Sequence, residues 1–169
     1  MKVIEDKEGY LILSGELEDQ AEAAFEDGRL VEAFALLHAG IDWWMTDLYQ
    51  LYRIFAGTDK GQGWAEFADG RRVKFIANAE FLRDVGLISQ DQFRSLDRFD
   101  KLRNKVVHRL VFRTYQARNN NRLRMSDVRT GFYDGIALIN ALRGKTGDLG
   151  LEAIFKRGAE RAAKASKGA

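Results

Sequence analysis

Arginine, asparagine and histidine lie close together in the middle of the chain, in the segment RNKVVH at residues 103–108. A histidine near its ordinary pKa of about 6.5 can assist proton loss from a ribose 2′-hydroxyl that attacks its own phosphate. An arginine aimed at that phosphate stabilises the negative charge that builds on it. Arg103 and His108 are therefore predicted to support metal-free phosphodiester cleavage to a 2′,3′-cyclic phosphate. Asn104 could orient the imidazole or bind a phosphate oxygen.

One helix over residues 93–112 is predicted to carry this motif, because its apolar side chains fill a single arc at about 100° per residue. These side chains are Leu96, Phe99, Leu102, Val106, Val107 and Leu110. Arg103 falls in the middle of the arc, where a guanidinium that keeps its charge must find acceptors or an anion. The polar residues along one edge of the arc are Asp97, Asp100, Asn104 and His108. The Cα positions of Arg103 and His108 lie about 140° apart around the helix axis. Both side chains can therefore contact one anion only because arginine is long, or because the motif lies where the helix borders a cleft.

The remaining segments predict an all-α fold, an up-down helical bundle of four to five core helices with short terminal helices. Helices are expected at residues 16–25, 29–55, 71–85, 127–143 and 151–164. Gly28 and Gly86 are the expected stops of two of them. Ser89 and Gln92 form a capping box before the motif helix, and Ser126 is the expected N-cap of the next helix. No segment alternates long enough to build a sheet.

The chain is predicted to divide into three parts. Residues 1–24 form an N-terminal arm or short acidic helix, residues 25–143 form the bundle, and residues 144–169 form a linker, a short helix and a basic tail. Two loops are expected within the bundle. One is the glycine-rich segment 56–70, whose glycines lack the spacing of a phosphate-binding loop, and the other is the basic segment 114–124.

The composition favours a helical globular protein and excludes several kinds of site. The 169 residues include no proline and no cysteine, which favours helices and excludes disulfides and thiolate metal sites. The two histidines lack the spacing of a catalytic zinc site, so no metal and no cofactor is predicted. No apolar run approaches 18 residues and the N-terminus is too acidic for a signal peptide. A cytoplasmic protein without membrane contact is therefore expected.

Charge is distributed unevenly along the chain. Residues 1–50 hold three basic and twelve acidic side chains, a net charge of −9, whereas residues 97–129 hold ten basic and three acidic ones, a net charge of +7. The two segments could attract each other within the fold, or the basic one could attract phosphate. In the second case Lys105, Arg109 and Arg113 are the predicted RNA-binding residues.

The segment RNKVVH resembles the Arg-x(4–6)-His motif of the HEPN superfamily, including the polar residue that often follows the arginine. The long helix before it, ALLHAGIDWWMTDLY at residues 35–49, is similar to the first core helix of that fold. The resemblance covers residues 25–143. It implies an all-α up-down bundle that dimerises, with Arg103 and His108 of each subunit lining a shared cleft.

The resemblance also implies an activity, partners and a supporting residue. Many HEPN proteins are metal-independent endoribonucleases, often toxins or defence effectors, and some are paired with a nucleotidyltransferase antitoxin. RNA, a second copy of the chain and an antitoxin protein are therefore the expected partners. In several such enzymes a polar residue on the first core helix supports the site. Asp42 is the first candidate for that position and His38 is the second.

A non-enzymatic interpretation of the same residues stays open. HEPN domains also include non-cleaving members that bind RNA, nucleotides or partner proteins. In that case Arg103 could be the buried ion-pair partner of Asp42, Asp47 or Asp100, and His108 a boundary residue without a role. Trp43 lies on the other side of the long helix, and either another helix or a second subunit should cover it.

Overall fold

The chain forms a bundle of helices preceded by a short hairpin, as seen in a computed structural model. The structure describes residues 2–5, 11–14, 16–55, 75–111 and 123–167. Side chains are described over residues 16–53, 75–108 and 123–151. Within these ranges the helices are α1 (Leu17–Glu26), α2 (Leu30–Phe55), α3 (Phe75–Asp84), α4 (Gln90–Val111) and α5 (Met125–Lys167). The predicted all-α helical bundle is confirmed.

The hairpin is the part of the fold that the sequence did not indicate. Strands β1 (Lys2–Glu5) and β2 (Leu11–Ser14) pair antiparallel, from Lys2 opposite Ser14 to Glu5 opposite Leu11. Each strand has four residues, which is too short for a period of two to stand out in a sequence. The expectation that no segment builds a sheet is therefore wrong for this pair of strands.

Helix α2 is the centre of the bundle, because it contacts α1, α3, α4 and α5. Its apolar side chains recur every three or four residues and so lie on one face. Six of them are completely inaccessible to solvent: Ala33, Phe34, Leu37, Ile41, Met45 and Leu48. Burying this face against four neighbours fixes the rotation of α2 about its axis, and therefore fixes which polar residues border the contact with α4.

Glycine and a capping box set the ends of the helices next to α2 and α4. Gly28 has a φ of 75°, and the Arg29 N–H donates to the Ala24 carbonyl at 2.8 Å, which closes α1 with a Schellman motif. Gly86, with a φ of 78°, follows α3. Ser89 Oγ then accepts from the Gln92 N–H at 3.2 Å, and Gln92 Oε1 accepts from the Ser89 N–H at 2.9 Å. The predicted stops and capping box are confirmed.

Helix α5 differs from its prediction at both ends. It begins at Met125, so Ser126 lies inside the first turn instead of preceding it as an N-cap. It also continues through residues 144–150, where the sequence predicts a linker before a separate helix. Thr146 is buried there, and its Oγ1 donates to the Leu142 carbonyl at 3.0 Å. Tertiary packing therefore overrides the weak helix propensity of three glycines in this segment.

Several predictions fall on residues that the structure does not describe. The glycine-rich loop at 56–70, the first residues of the helix predicted at 71–85 and most of the basic loop at 114–124 lie outside the described residues. The division into three parts stays a prediction, apart from the continuous helix found at its last boundary.

Candidate functional site

Four polar side chains, which we call the polar row, cross the contact between α2 and α4: His38, Asp100, Asn104 and Arg103. His38 Nε2, from α2, lies 3.9 Å from Asp100 Oδ1 on α4. Asn104 Nδ2 donates a hydrogen bond to Asp100 Oδ2 at 3.1 Å. Arg103 Nη1 donates to Asn104 Oδ1 at 2.9 Å. The row therefore links α2 to the guanidinium of Arg103.

The helix surface of α4, the buried Phe99 and the ring of Phe75 on α3 hold the polar row in place. On α4, Asp100 and Asn104 are four residues apart and so lie one above the other on the helix surface. Phe99, next to Asp100, is buried and fixes the rotation of α4 against the core. The ring of His38 stacks on Phe75 of α3, with ring centres 4.5 Å apart and planes inclined by 27°. His38 therefore has one face on an aromatic ring and one edge towards a carboxylate.

Arg103 has no carboxylate partner among the residues that the structure describes. Its side chain is half-buried, and its Nε is buried with no hydrogen-bond partner among the described residues. Within that part of the chain, no carboxylate oxygen lies within 4.0 Å of the guanidinium. The ion pair with Asp42, Asp47 or Asp100 that the non-enzymatic interpretation proposed is not formed. Since an uncompensated half-buried charge is costly, this guanidinium is suited to receive an anion.

His108 lies one turn after Asn104 on α4, with an exposed side chain. Among the described residues, no hydrogen bond joins it to Arg103. Of the predicted RNA-binding residues, Lys105 is exposed on α4, whereas the side chains of Arg109 and Arg113 lie outside the described residues.

Asp42 belongs to a different surface of α2. It lines a depression of about 330 Å³ on the outer face of the helix with Ala39, Trp43, Thr46, Asp47 and Gln50. It makes no hydrogen bond or ion pair with the polar row, although its charge reaches the imidazole of His38. The structure therefore brings His38, the second candidate for a supporting residue on the first core helix, into the row. Trp43 is 68% exposed, and none of the described helices covers it.

Burial sets the protonation of His38. Its pKa is lowered from the ordinary 6.5, first by desolvation of the ring and next by the positive charge of Arg103, while Asp42 and Asp100 oppose the shift. The neutral imidazole is the form that accepts a proton or a hydrogen bond. The half-buried ring is therefore held in its neutral form at pH 7.

We expect the lowered pKa of His38 to make the protein less stable in mild acid. Between the unfolded pKa of 6.5 and the lower folded pKa, the unfolded chain binds a proton that the folded chain resists. The free energy of unfolding therefore falls as the pH drops from about 7 through this window. Urea unfolding at several pH values between 7.5 and 5.5 measures the fall.

The matched variant for this measurement is His38→Gln, which keeps a polar side chain but cannot titrate. The difference in free energy of unfolding between wild type and variant should shrink, or turn in favour of the variant, as the pH is lowered. A difference that stays constant from pH 7.5 to 5.5 contradicts the lowered pKa.

Two residues of this site are not among the predicted site residues: Asp100, which the sequence gives only as a possible ion-pair partner of Arg103, and Phe75. Asp100 was placed on the edge of the motif helix, and its spacing of four residues from Asn104 was the signal that linked them. Phe75 gave no signal, because contact with His38 depends on how α3 packs beside α2.

Comparisons with known proteins give this chain no relatives: it matches no protein-family model, no curated protein and no solved structure. No helix in the described ranges is both long and apolar enough to span a membrane. Among the described side chains, no three His, Asp or Glu lie close enough together to hold a metal ion.

Proposed function

We propose that the protein is a metal-independent endoribonuclease of the HEPN type. The observation that supports this most directly is the half-buried Arg103, which has a buried Nε without a partner and a neutral amide as its hydrogen-bond acceptor. A phosphate bound at the guanidinium would supply the negative charge that this half-buried side chain lacks among the described residues. The proposal includes a cytoplasmic role as a toxin or defence effector, with RNA as the substrate.

The reaction needs no group beyond side chains and the substrate. His108 takes the proton of a ribose 2′-hydroxyl, whose oxygen forms a bond to the adjacent phosphorus. The bond from phosphorus to the 5′-oxygen breaks, and that oxygen takes up a proton from solvent, while the imidazolium of His108 returns its proton to solvent. Arg103 stabilises the charge on the phosphate oxygens, and Asn104 presents the guanidinium. The products are a 2′,3′-cyclic phosphate and a 5′-hydroxyl.

A homodimer is the second part of the proposal. Arg103 and His108 of one chain share no hydrogen bond, and His108 is exposed. A second copy that brings its own Arg103 and His108 to the same cleft would surround one phosphate from two sides. The 68% exposed Trp43 is a further surface that a second subunit or an antitoxin protein could cover.

Cleavage of RNA in the presence of EDTA tests the activity. Purified protein should cut RNA and leave 2′,3′-cyclic phosphate ends, while the same sequence with a 2′-deoxynucleotide at the cut site should stay intact. His108→Ala should lose the activity by about 10²–10⁴-fold, the range of a general acid–base group. RNA that stays intact with the dimeric wild type, or a His108→Ala variant as active as wild type, is evidence against the enzyme.

A non-catalytic helical module that binds RNA, a nucleotide or a protein partner is the second candidate. It is favoured by the exposed position of His108, which shares no hydrogen bond with Arg103 among the described residues. In this case RNA or nucleotide binding without cleavage is the expected result of the same assay, measured by fluorescence anisotropy.

A further inference from the structure

Each hydrogen bond of the polar row on α4 can be made in only one direction. A carboxylate only accepts, a guanidinium only donates, and an amide does both from opposite ends. Asn104 lies between Asp100 and Arg103, with Nδ2 towards Asp100 and Oδ1 towards Arg103. If the amide turned round, its oxygen would face the carboxylate and its N–H groups would face the guanidinium. Asp100 and Arg103 therefore favour the same orientation of the amide, and the hydrogen bond to Asp100 anchors its Nδ2 end.

Asp100 also reaches the neighbouring helix. While Oδ2 accepts from Asn104, Oδ1 lies 3.9 Å from His38 Nε2 of α2. The exposed fractions of the Asp100 and His38 side chains are only 19% and 24%, so water weakens these interactions less than at the surface. One carboxylate thus has a neighbour on each side, His38 on α2 and the pair Asn104 and Arg103 on α4.

We propose that Asp100 is the positioning residue of this site, since it anchors the amide of Asn104 and, through it, the guanidinium of Arg103. The effect of Asp100 on catalysis rests on the proposed function. Asp100 touches neither substrate nor reacting atoms, so its effect passes through its neighbours. A guanidinium that is misplaced by about 1 Å can cost about 100-fold in rate.

Asp97 provides a matched control one turn earlier on α4. It carries the same kind of carboxylate, and its Oδ2 accepts a hydrogen bond from Lys101 Nζ at 2.6 Å. The Lys101 side chain of this ion pair is exposed. Asp97 has no hydrogen bond to the polar row. Removing its charge therefore changes the net charge of the protein as Asp100→Asn does, without releasing Asn104.

Asp100→Asn and Asp97→Asn should separate positioning from charge. In Asp100→Asn we expect kcat for RNA cleavage to fall by up to about 100-fold with little change in KM, whereas Asp97→Asn should leave both unchanged. A second readout is the pKa of His38 by NMR titration, since the chain has only two histidines. That pKa should fall further in Asp100→Asn, because a charge that raises it is lost.

A measurement on the wild type covers the case in which Asp100→Asn does not fold. The Asn104 side-chain amide should exchange with solvent more slowly than that of Asn140, which is exposed on α5. Equal exchange rates overturn the proposal, as does an Asp100→Asn variant with unchanged kcat or an unchanged His38 pKa. A wild type that leaves RNA intact overturns only the proposed function, because the exchange and titration results still decide what Asp100 does.

Discussion

Arg103→Ala is expected to lower kcat/KM for RNA cleavage by about 10²–10³-fold, the cost of removing one preorganised group that stabilises transition-state charge. The helical fold should survive. Arg103 has no carboxylate partner among the described residues, and its side-chain hydrogen bond goes to the neutral Asn104. Its loss should therefore cost about 0.5–1.5 kcal/mol of stability, against about 3–5 kcal/mol for breaking a buried ion pair.

Two further variants make this test specific. Arg98→Ala removes an arginine from the same helix, where Nη2 donates to Ser95 Oγ at the exposed surface, and it should keep the activity of wild type. Arg103→Lys keeps the charge but loses the planar fork that binds two phosphate oxygens, so it should recover little activity. A thermal melt is measured beside each assay. An Arg103→Ala variant that melts as if it had lost several kcal/mol favours a structural role and contradicts the catalytic one.

A half-buried guanidinium without a compensating charge destabilises the folded state. Anion binding to Arg103 and the stability of the protein should therefore be coupled. A ligand that binds only the folded state raises the free energy of unfolding in proportion to the logarithm of its concentration. If Arg103 receives phosphate, RNA or a non-cleavable analogue should stabilise the wild type more than Arg103→Ala. This link between site and stability is absent if the basic surface binds RNA without Arg103.

The helices that carry the site could be predicted from the sequence because their apolar residues repeat with the period of a helix. The predicted 29–55 and 93–112 correspond to α2, Leu30–Phe55, and α4, Gln90–Val111. The α4 start follows from Ser89 and Gln92, which act locally. Such features depend on neighbours along the chain, so one sequence is enough to find them.

The polar row could be predicted only in part, because it crosses between two helices. Asp100, Asn104 and Arg103 share α4, and a helical projection places them correctly relative to one another. Whether His38 or Asp42 of α2 meets them depends on the rotation of α2 in the bundle, and the two lie about 40° apart around the helix. That rotation is set by packing against four other helices, which the sequence of α2 alone does not contain.

Gly135→Val is expected to lower the free energy of unfolding by about 3 kcal/mol, the upper part of the range for an overpacked core. Gly135 lies on α5 where this helix meets α2 and α4. A Cβ atom at this position would lie 2.7 Å from Phe99 Cε2 and 2.9 Å from Leu37 Cδ1. Both neighbours are buried, at 2% and 0% exposed, so neither ring nor methyl group can move aside into solvent. Urea unfolding measures the change.

Gly144→Val is the control on the same helix, because a Cβ atom there would meet nothing within 4 Å. Valine and glycine differ little in helix propensity, so this variant should stay within about 0.5 kcal/mol of wild type.

Gly135→Val should also disturb the polar row, since Phe99 precedes Asp100 and a shifted ring moves that carboxylate relative to His38. Equal stability of the two variants contradicts the close approach of α5, and normal RNA cleavage by a folded Gly135→Val shows that the polar row tolerates this shift of α4.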